Sequence, residues 1–289
     1  MKILGEIIRH RSITLLLGAV ILLSGAFVWR KLYRDTVGPV RFICDQEGLR
    51  QYPAAPSLPE TQYLISENYG WFDQSHFNTG RPAEIIAAVQ AAVDGGADTF
   101  IIRQGVRNNV TGYSAVYWVS AQAQQADVLP IALGIYYDWS TRFETWESQM
   151  PRWFAAPFSP FAVEDLPSHY LGFFAKSHQM TIEEVFACYL GPVTGSDEGP
   201  PELVLPDDTV TTTDAGIVRL ENRSFTPMVE TSNGWQQVNW PKALRMNSVT
   251  SSFNTWRYLS DETWYLDDSD ANLHLLNTAL TKYRLPPVE

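Results

Sequence analysis

The chain has 289 residues, 45% hydrophobic and 13% aromatic, enough apolar material to bury a substantial core and to argue against disorder over most of its length. Its 21 basic and 32 acidic residues are unevenly placed: residues 1–35 carry six basic and two acidic groups, leaving 15 basic and 30 acidic over the rest. So acidic a body disfavours nucleic acid as a partner, since such binding draws on cationic contacts to phosphate, and it is repelled by anionic lipid.

The first element is Ser12–Trp29 (SITLLLGAVILLSGAFVW), an uncharged apolar run between Arg9 and Arg11 on one side and Arg30, Lys31 and Arg34 on the other. About eighteen residues is near the minimum for a spanning helix, so residues 1–34 are predicted to form a single-pass anchor with the lipid bilayer as partner. A cleaved signal peptide is the alternative, because Ser24 and Ala26 make a small-x-small pair. Against cleavage, the positive charge after the run hinders translocation of a new N-terminus, and Trp29 stands where an interfacial anchor belongs. Ala26 occupies the place where a lipoprotein box needs cysteine, which excludes lipidation there. Basic residues tie at three on each flank, and the body is expected on the periplasmic or extracellular side. Cys44 and Cys188 fit either one disulfide in an oxidising compartment or two buried thiols, and they lack metal-ligand spacing.

Residues 35–60 include the proline-rich QYPAAPSLPE and read as a spacer, with a globular α+β body over 61–289. Pro82–Asp94 places Ile85, Ile86, Val89 and Val93 on one helical face, with proline in the first turn and Gly95-Gly96 beyond the end. Thr99–Val106 and Tyr113–Ser120, β-branched and aromatic around a turn-forming Arg107–Gly112, predict an antiparallel hairpin. A second helix opens at Pro130 and carries an apolar stripe from Ile131 to Met150, stopped by Pro151. Further helices are predicted over Val163–Lys176 and Thr181–Leu190, the latter capped by Thr181 with Glu183 and Glu184 in its first turn. Residues 196–264 break into short β-prone pieces, and a last helix is predicted over Asp270–Tyr283. The body thus divides into a helix-rich part, 61–195, and a strand-rich part, 196–289.

Chemistry concentrates in ENYGWFDQSHFNTG, beginning at Glu67, where Asp73, His76 and Asn78 lie among Tyr69, Trp71, Phe72 and Phe77. Three residues apart in a turn, Asp73 and His76 can share a proton or a metal ion, although the same spacing also serves a capping aspartate and a hydrogen-bonded core histidine. The stretch Gly70-Trp71-Phe72-Asp73 with His76 resembles the bacterial membrane-associated proteins carrying domain of unknown function 4056. Tyr137-Asp138-Trp139-Ser140, Phe143-Glu144, Phe158-Ser159-Pro160, Glu164-Asp165-Leu166, Ser168 and Leu171-Gly172 follow in matching order, so the resemblance spans roughly residues 70–172. It implies a site built from an Asp-x-x-His turn and a helix bearing His-Glu. Phe143 stands where that histidine belongs, which implies that a two-histidine metal site is either lost here or borrows His169. The resemblance implies no activity.

No HExxH helix, phosphate loop, GxGxxG or GxSxG elbow occurs. Asp268-x-Asp270-x-Asn272 imitates the start of a calcium loop, but Leu273 takes the place of its glycine and the twelfth position lacks an acid. Two readings follow. One is an envelope binding or accessory module that docks another membrane or envelope protein. The other is a hydrolase-like or metal-dependent enzyme in which His76 and Asp73 act with Glu144, Glu164, Asp165 or His169, its cofactor undefined. Carboxylates converging on His76 would favour the second; dispersed groups would favour the first.

Overall fold

In the computed structural model, residues 42–44, 50–52, 57–95, 98–106, 109–149, 160–200 and 221–265 are described. The apolar run 12–29 and the helix predicted over 270–283 lie outside them. Among the described residues no helix is long and apolar enough to cross a membrane. The chain divides into two compact units, Met1–Pro56 and Ser57–Glu289. The first contains a small antiparallel pair, β1 (Phe42–Cys44) and β2 (Arg50–Tyr52). Neither cysteine is free: Cys44 and Cys188 are both disulfide-bonded.

The second unit mixes helix and sheet. β3 (Tyr63–Ser66) and β4 (Gly70–Asp73) form a tight antiparallel pair, a 3-10 turn covers Gln74–Asn78, and α1 (Pro82–Gly95) follows. β5 (Asp98–Val106) and β6 (Thr111–Val119) are the expected hairpin, α2 spans Val128–Gln149 and α3 spans Asp165–Ser177. α4 (Ile182–Val185), with Thr181 and Glu184 capping each other, runs on into a wider π turn over Phe186–Leu190. β7 (Val193–Ser196), the pair β8 (Met228–Thr231) and β9 (Gly234–Gln237), and β10 (Trp256–Tyr265) complete the described strands. Strand content is not confined to the second half. β7 joins β3 and β4 in one three-stranded sheet, and β10 pairs along β6 to give a second in the order β10-β6-β5.

The core lies where α2 packs. Tyr113, Ala115, Tyr117 and Val119 of β6 are buried on the face toward α2; Thr111, Gly112 and Ser114 are buried as well, so alternation sets in only from Val116. Against them α2 sets Trp139, Phe143 and Trp146, with ring centroids 5.9–6.4 Å from that of Tyr113. Phe143 stacks on Trp139 at 5.1 Å. The adjoining face of α2, about a quarter-turn round the helix, is different. Tyr136, Ser140, Glu144 and Glu147 recur at helical spacing and are all buried toward α3, where Tyr136 meets Phe173 at 5.2 Å and His169 at 6.1 Å. α2 therefore carries an aromatic layer beside a buried polar seam, the two meeting where Tyr136 stacks on Trp139. Aromatic pairs of this kind add about 0.5–1.5 kcal/mol each beyond area burial, which helps a core to tolerate polar groups beside them.

Candidate metal centre

Three elements build the seam. The 3-10 turn contributes His76, α2 contributes Glu144 and Glu147, and the start of α3 contributes Asp165 and His169, with Glu164 just before it. The turn is seated on α3 by two small residues. Gly172 has no side chain, and a Cβ there would come within 1.9 Å of the Phe77 carbonyl oxygen. Ser168 Oγ accepts the Asp73 N–H at 2.8 Å, both residues being buried. The turn is also capped from within, since Asp73 Oδ1 accepts from the backbone N–H and the hydroxyl of Ser75, each at 2.8 Å. Gly80, at φ +71°, then turns the chain beneath Trp139 into α1.

His76 Nδ1 lies 3.1 Å from His169 Nε2, and His169 Nε2 lies 3.8 Å from Glu144 Oε1. One ligand atom from each of the three residues falls within 4.8 Å of the other two, the one such histidine–carboxylate group among the described residues. Asp165 Oδ1 borders it, 3.7 Å from His76 Nδ1. Glu144 and His169 are fully buried, whereas the side chain of His76 keeps 19% of its surface. His76 is thus the member of the trio that faces solvent.

A hydrogen-bonded histidine pair explains only part of this geometry. One ring N–H can donate to the other ring at 3.1 Å, but Glu144 Oε1 and His169 Nδ1 remain buried without a hydrogen-bond partner. The 3.8 Å contact is too long for a hydrogen bond. It is not an ion pair either, because burial, and then the charge of His76, hold His169 well below its ordinary value and keep it neutral. Orphaned buried polar atoms cost about 1–3 kcal/mol each, so a cluster that leaves two of them calls for a ligand. An ion bonded to two imidazole nitrogens at about 2.1 Å sets them close to 3 Å apart when they subtend a near-right angle, which matches the separation observed here.

Burial also sets the charge state of the neighbouring carboxyls. Burial raises the Glu144 carboxyl, offset in part by the charge of His76, the Phe161 N–H that donates to Oε2 at 3.0 Å, and a side-chain hydrogen bond with Asp165. Burial and then Glu144 push Glu147 well up. Asp165 is pushed well up by burial and then by the charges of Glu144, Glu164 and Glu147, against the Ala162 N–H that it accepts at 2.7 Å. Among the described residues no lysine or arginine is buried.

The consequence for the metal-free protein can be measured. A carboxyl whose folded value is raised stabilises the fold below its unfolded value, and that contribution is lost as pH rises through the folded value. His169, lowered, has the opposite sign, but its effect is confined to pH below its ordinary 6.5. Chelator-treated protein should therefore melt at progressively lower temperature as pH is raised above about 6.5, and a divalent ion should flatten that slope. Thermal scans across pH with and without the ion test this.

The sequence-derived candidates distribute unevenly. His76, Glu144 and His169 come together. Asp73 does not join them: its Oδ2 accepts from Gln62 Nε2 at 3.1 Å and lies 4.0 Å from His76 Nε2, on the outer side of the ring. The pairing of Asp73 with His76 as ligands gives way to a capping role, and Glu144 and His169 supply the remaining donors. Phe143 faces the β6 aromatics, so that position points away from the cluster. Glu147 was not anticipated, although its spacing of three from Glu144 placed it on the same helical face.

Comparison with protein-family models, curated proteins and solved structures found no match. The chemistry is accordingly read from the site itself.

Proposed function

We propose that this chain is a divalent-metal-dependent hydrolase, held at the outer side of a membrane by its N-terminal apolar run. The observation that carries the reading is the meeting of one ligand atom each from His76, His169 and Glu144 at one largely buried point. Of the two readings open from sequence, this convergence favours chemistry over docking. Three protein donors leave a coordination position for water, the pattern of catalytic rather than structural sites. A bound ion would supply Lewis acidity and a water acidified toward neutrality. His76, His169 and Glu144 would hold the ion; Asp165, whose Oδ1 sits 3.7 Å from His76 Nδ1, borders that site and could exchange a proton there only after losing its own. Asp73 orients His76 by fixing the turn that bears it. The apolar run supports the membrane attachment, and two disulfide-bonded cysteines suit an oxidising compartment.

Purified full-length protein should contain at least one tightly bound divalent ion per chain by elemental analysis. Chelation should lower its melting temperature and abolish hydrolysis of a panel of chromogenic phosphate and carboxylate esters. Metal-free protein whose melting is indifferent to added zinc, manganese or magnesium would sink the reading. Attachment is tested separately. Removal of residues 1–34 should release a folded, soluble body, and a truncated protein that stays with the membrane fraction would count against a single anchor.

A further inference from the structure

We infer that Ser140 is a positioning residue for the ion: its hydroxyl accepts the Nδ1–H of His169 and so turns a bare Nε2 toward the point shared with His76 and Glu144. This role rests on the metal-binding reading of that trio and adds a residue behind it.

His169 is bracketed by α2. Its ring centroid lies 6.1 Å from that of Tyr136, and its Nε2 lies 3.8 Å from Glu144 Oε1. Ser140 stands midway between Tyr136 and Glu144 on the same buried side, one turn or about 6 Å of helix from each. Ser140 is therefore the α2 residue set opposite the His169 ring. Both residues are fully buried, and His169 Nδ1 has no hydrogen-bond partner. The serine Oγ moves between staggered positions about a single bond, which lets it meet the imidazole.

The direction of the hydrogen bonds follows from where they end. Tyr136 Oη donates to the Thr79 carbonyl at 2.9 Å, and a carbonyl can only accept. The phenol oxygen is left to accept. Ser140 acts on it as a donor, the sense in which a neighbouring hydroxyl favours the phenolate, although the contact falls short of full hydrogen-bond geometry. With its one proton directed to Tyr136, the Ser140 hydroxyl offers His169 only lone pairs. Burial keeps the His169 ring neutral, with a single ring proton, and that proton must then sit on Nδ1. Nε2 is left bare. It accepts the His76 Nδ1–H at 3.1 Å in the metal-free protein and is ready to bind an ion in its place. Thr79 closes the 3-10 turn that bears His76, so Tyr136 and Ser140 link the elements that carry the two histidines.

Full-length protein in detergent, stripped of metal and labelled with ¹⁵N at its five histidines, shows by NMR which ring nitrogen of His169 holds the proton. The resonance is assigned by its loss in His169→Gln. The proton is expected on Nδ1. In Ser140→Ala a measurable share of it should move to Nε2, and zinc affinity, read by competition with a chromogenic chelator, should fall about 10–100-fold, the range for loss of a residue behind a metal ligand. Tyr136→Phe frees the Ser140 hydroxyl to donate, so it should shift the proton the same way, and it serves if Ser140→Ala does not fold. A proton on Nε2 in the unmodified protein, one that stays on Nδ1 in both variants, or zinc affinity that Ser140→Ala leaves unchanged overturns the role of Ser140 and leaves the metal reading standing. Unmodified protein that binds no zinc overturns both.

Discussion

Replacing His169 with alanine is expected to weaken binding of the first ion by about 100-fold or more and to remove hydrolysis, while the fold survives. Loss of a supporting partner alone costs a metal site about 10–100-fold, so loss of a donor from a trio costs at least the upper end of that range. Stability should fall by only about 1–3 kcal/mol, because the substitution also removes a buried ring nitrogen that has no hydrogen-bond partner. Phe143→Ala provides the reverse pattern. It leaves a cavity between Trp139 and Trp146 and should cost about 3–5 kcal/mol, yet the ion affinity of the folded protein should be unchanged. Paired denaturation and metal-titration curves test the two together. A Phe143→Ala protein with weakened ion binding would show that the aromatic layer and the seam are not separable.

The second large effect is expected at Gly172. A methyl group there would meet the Phe77 carbonyl at 1.9 Å, a backbone atom in the turn that carries His76. The turn must move off α3, straining the buried Asp73–Ser168 hydrogen bond and shifting the imidazole. Gly172→Ala should destabilise the protein by about 3–5 kcal/mol and weaken ion binding at least tenfold in the same variant. Alanine is otherwise the better helix former by about 1 kcal/mol, so a gain in stability would show that the turn does not rest on α3 as described.

The elements that could be read along the chain are those whose partners are close in sequence. α1 shows its apolar face and its proline directly, and the β5–β6 hairpin shows its turn. The same holds for the Thr181 cap, whose partner Glu184 is three residues away. β3 and β4 escaped notice because four residues each, in a stretch dense with aromatics and polar groups, give too short an alternation to separate strand from turn. β10 is a different case. Its pairing with β6 joins residues nearly 150 positions apart, as in Tyr113 Oη donating to Asp261, and no local pattern encodes that. The site divides in the same manner. His76 was conspicuous among its aromatics, and Glu144 and His169 were candidates, but their meeting depends on how α3 docks against the 3-10 turn. Ser168 and Gly172, the residues that set that docking, carry no chemical signature of their own.

The exposure of His76 has a kinetic consequence. Glu144 and His169 are sealed, so an ion reaches them past the imidazole of His76, and leaves by the same route. For an ion held as proposed, exchange would be fastest when the 3-10 turn lifts from α3, breaking the Asp73–Ser168 hydrogen bond and exposing Phe77. The lifetime of an ion held there as proposed would then follow the frequency of that local opening as well as the strength of coordination. A protein that acquires its ion as it folds would retain it over times far longer than equilibrium affinity suggests, with the turn as a latch.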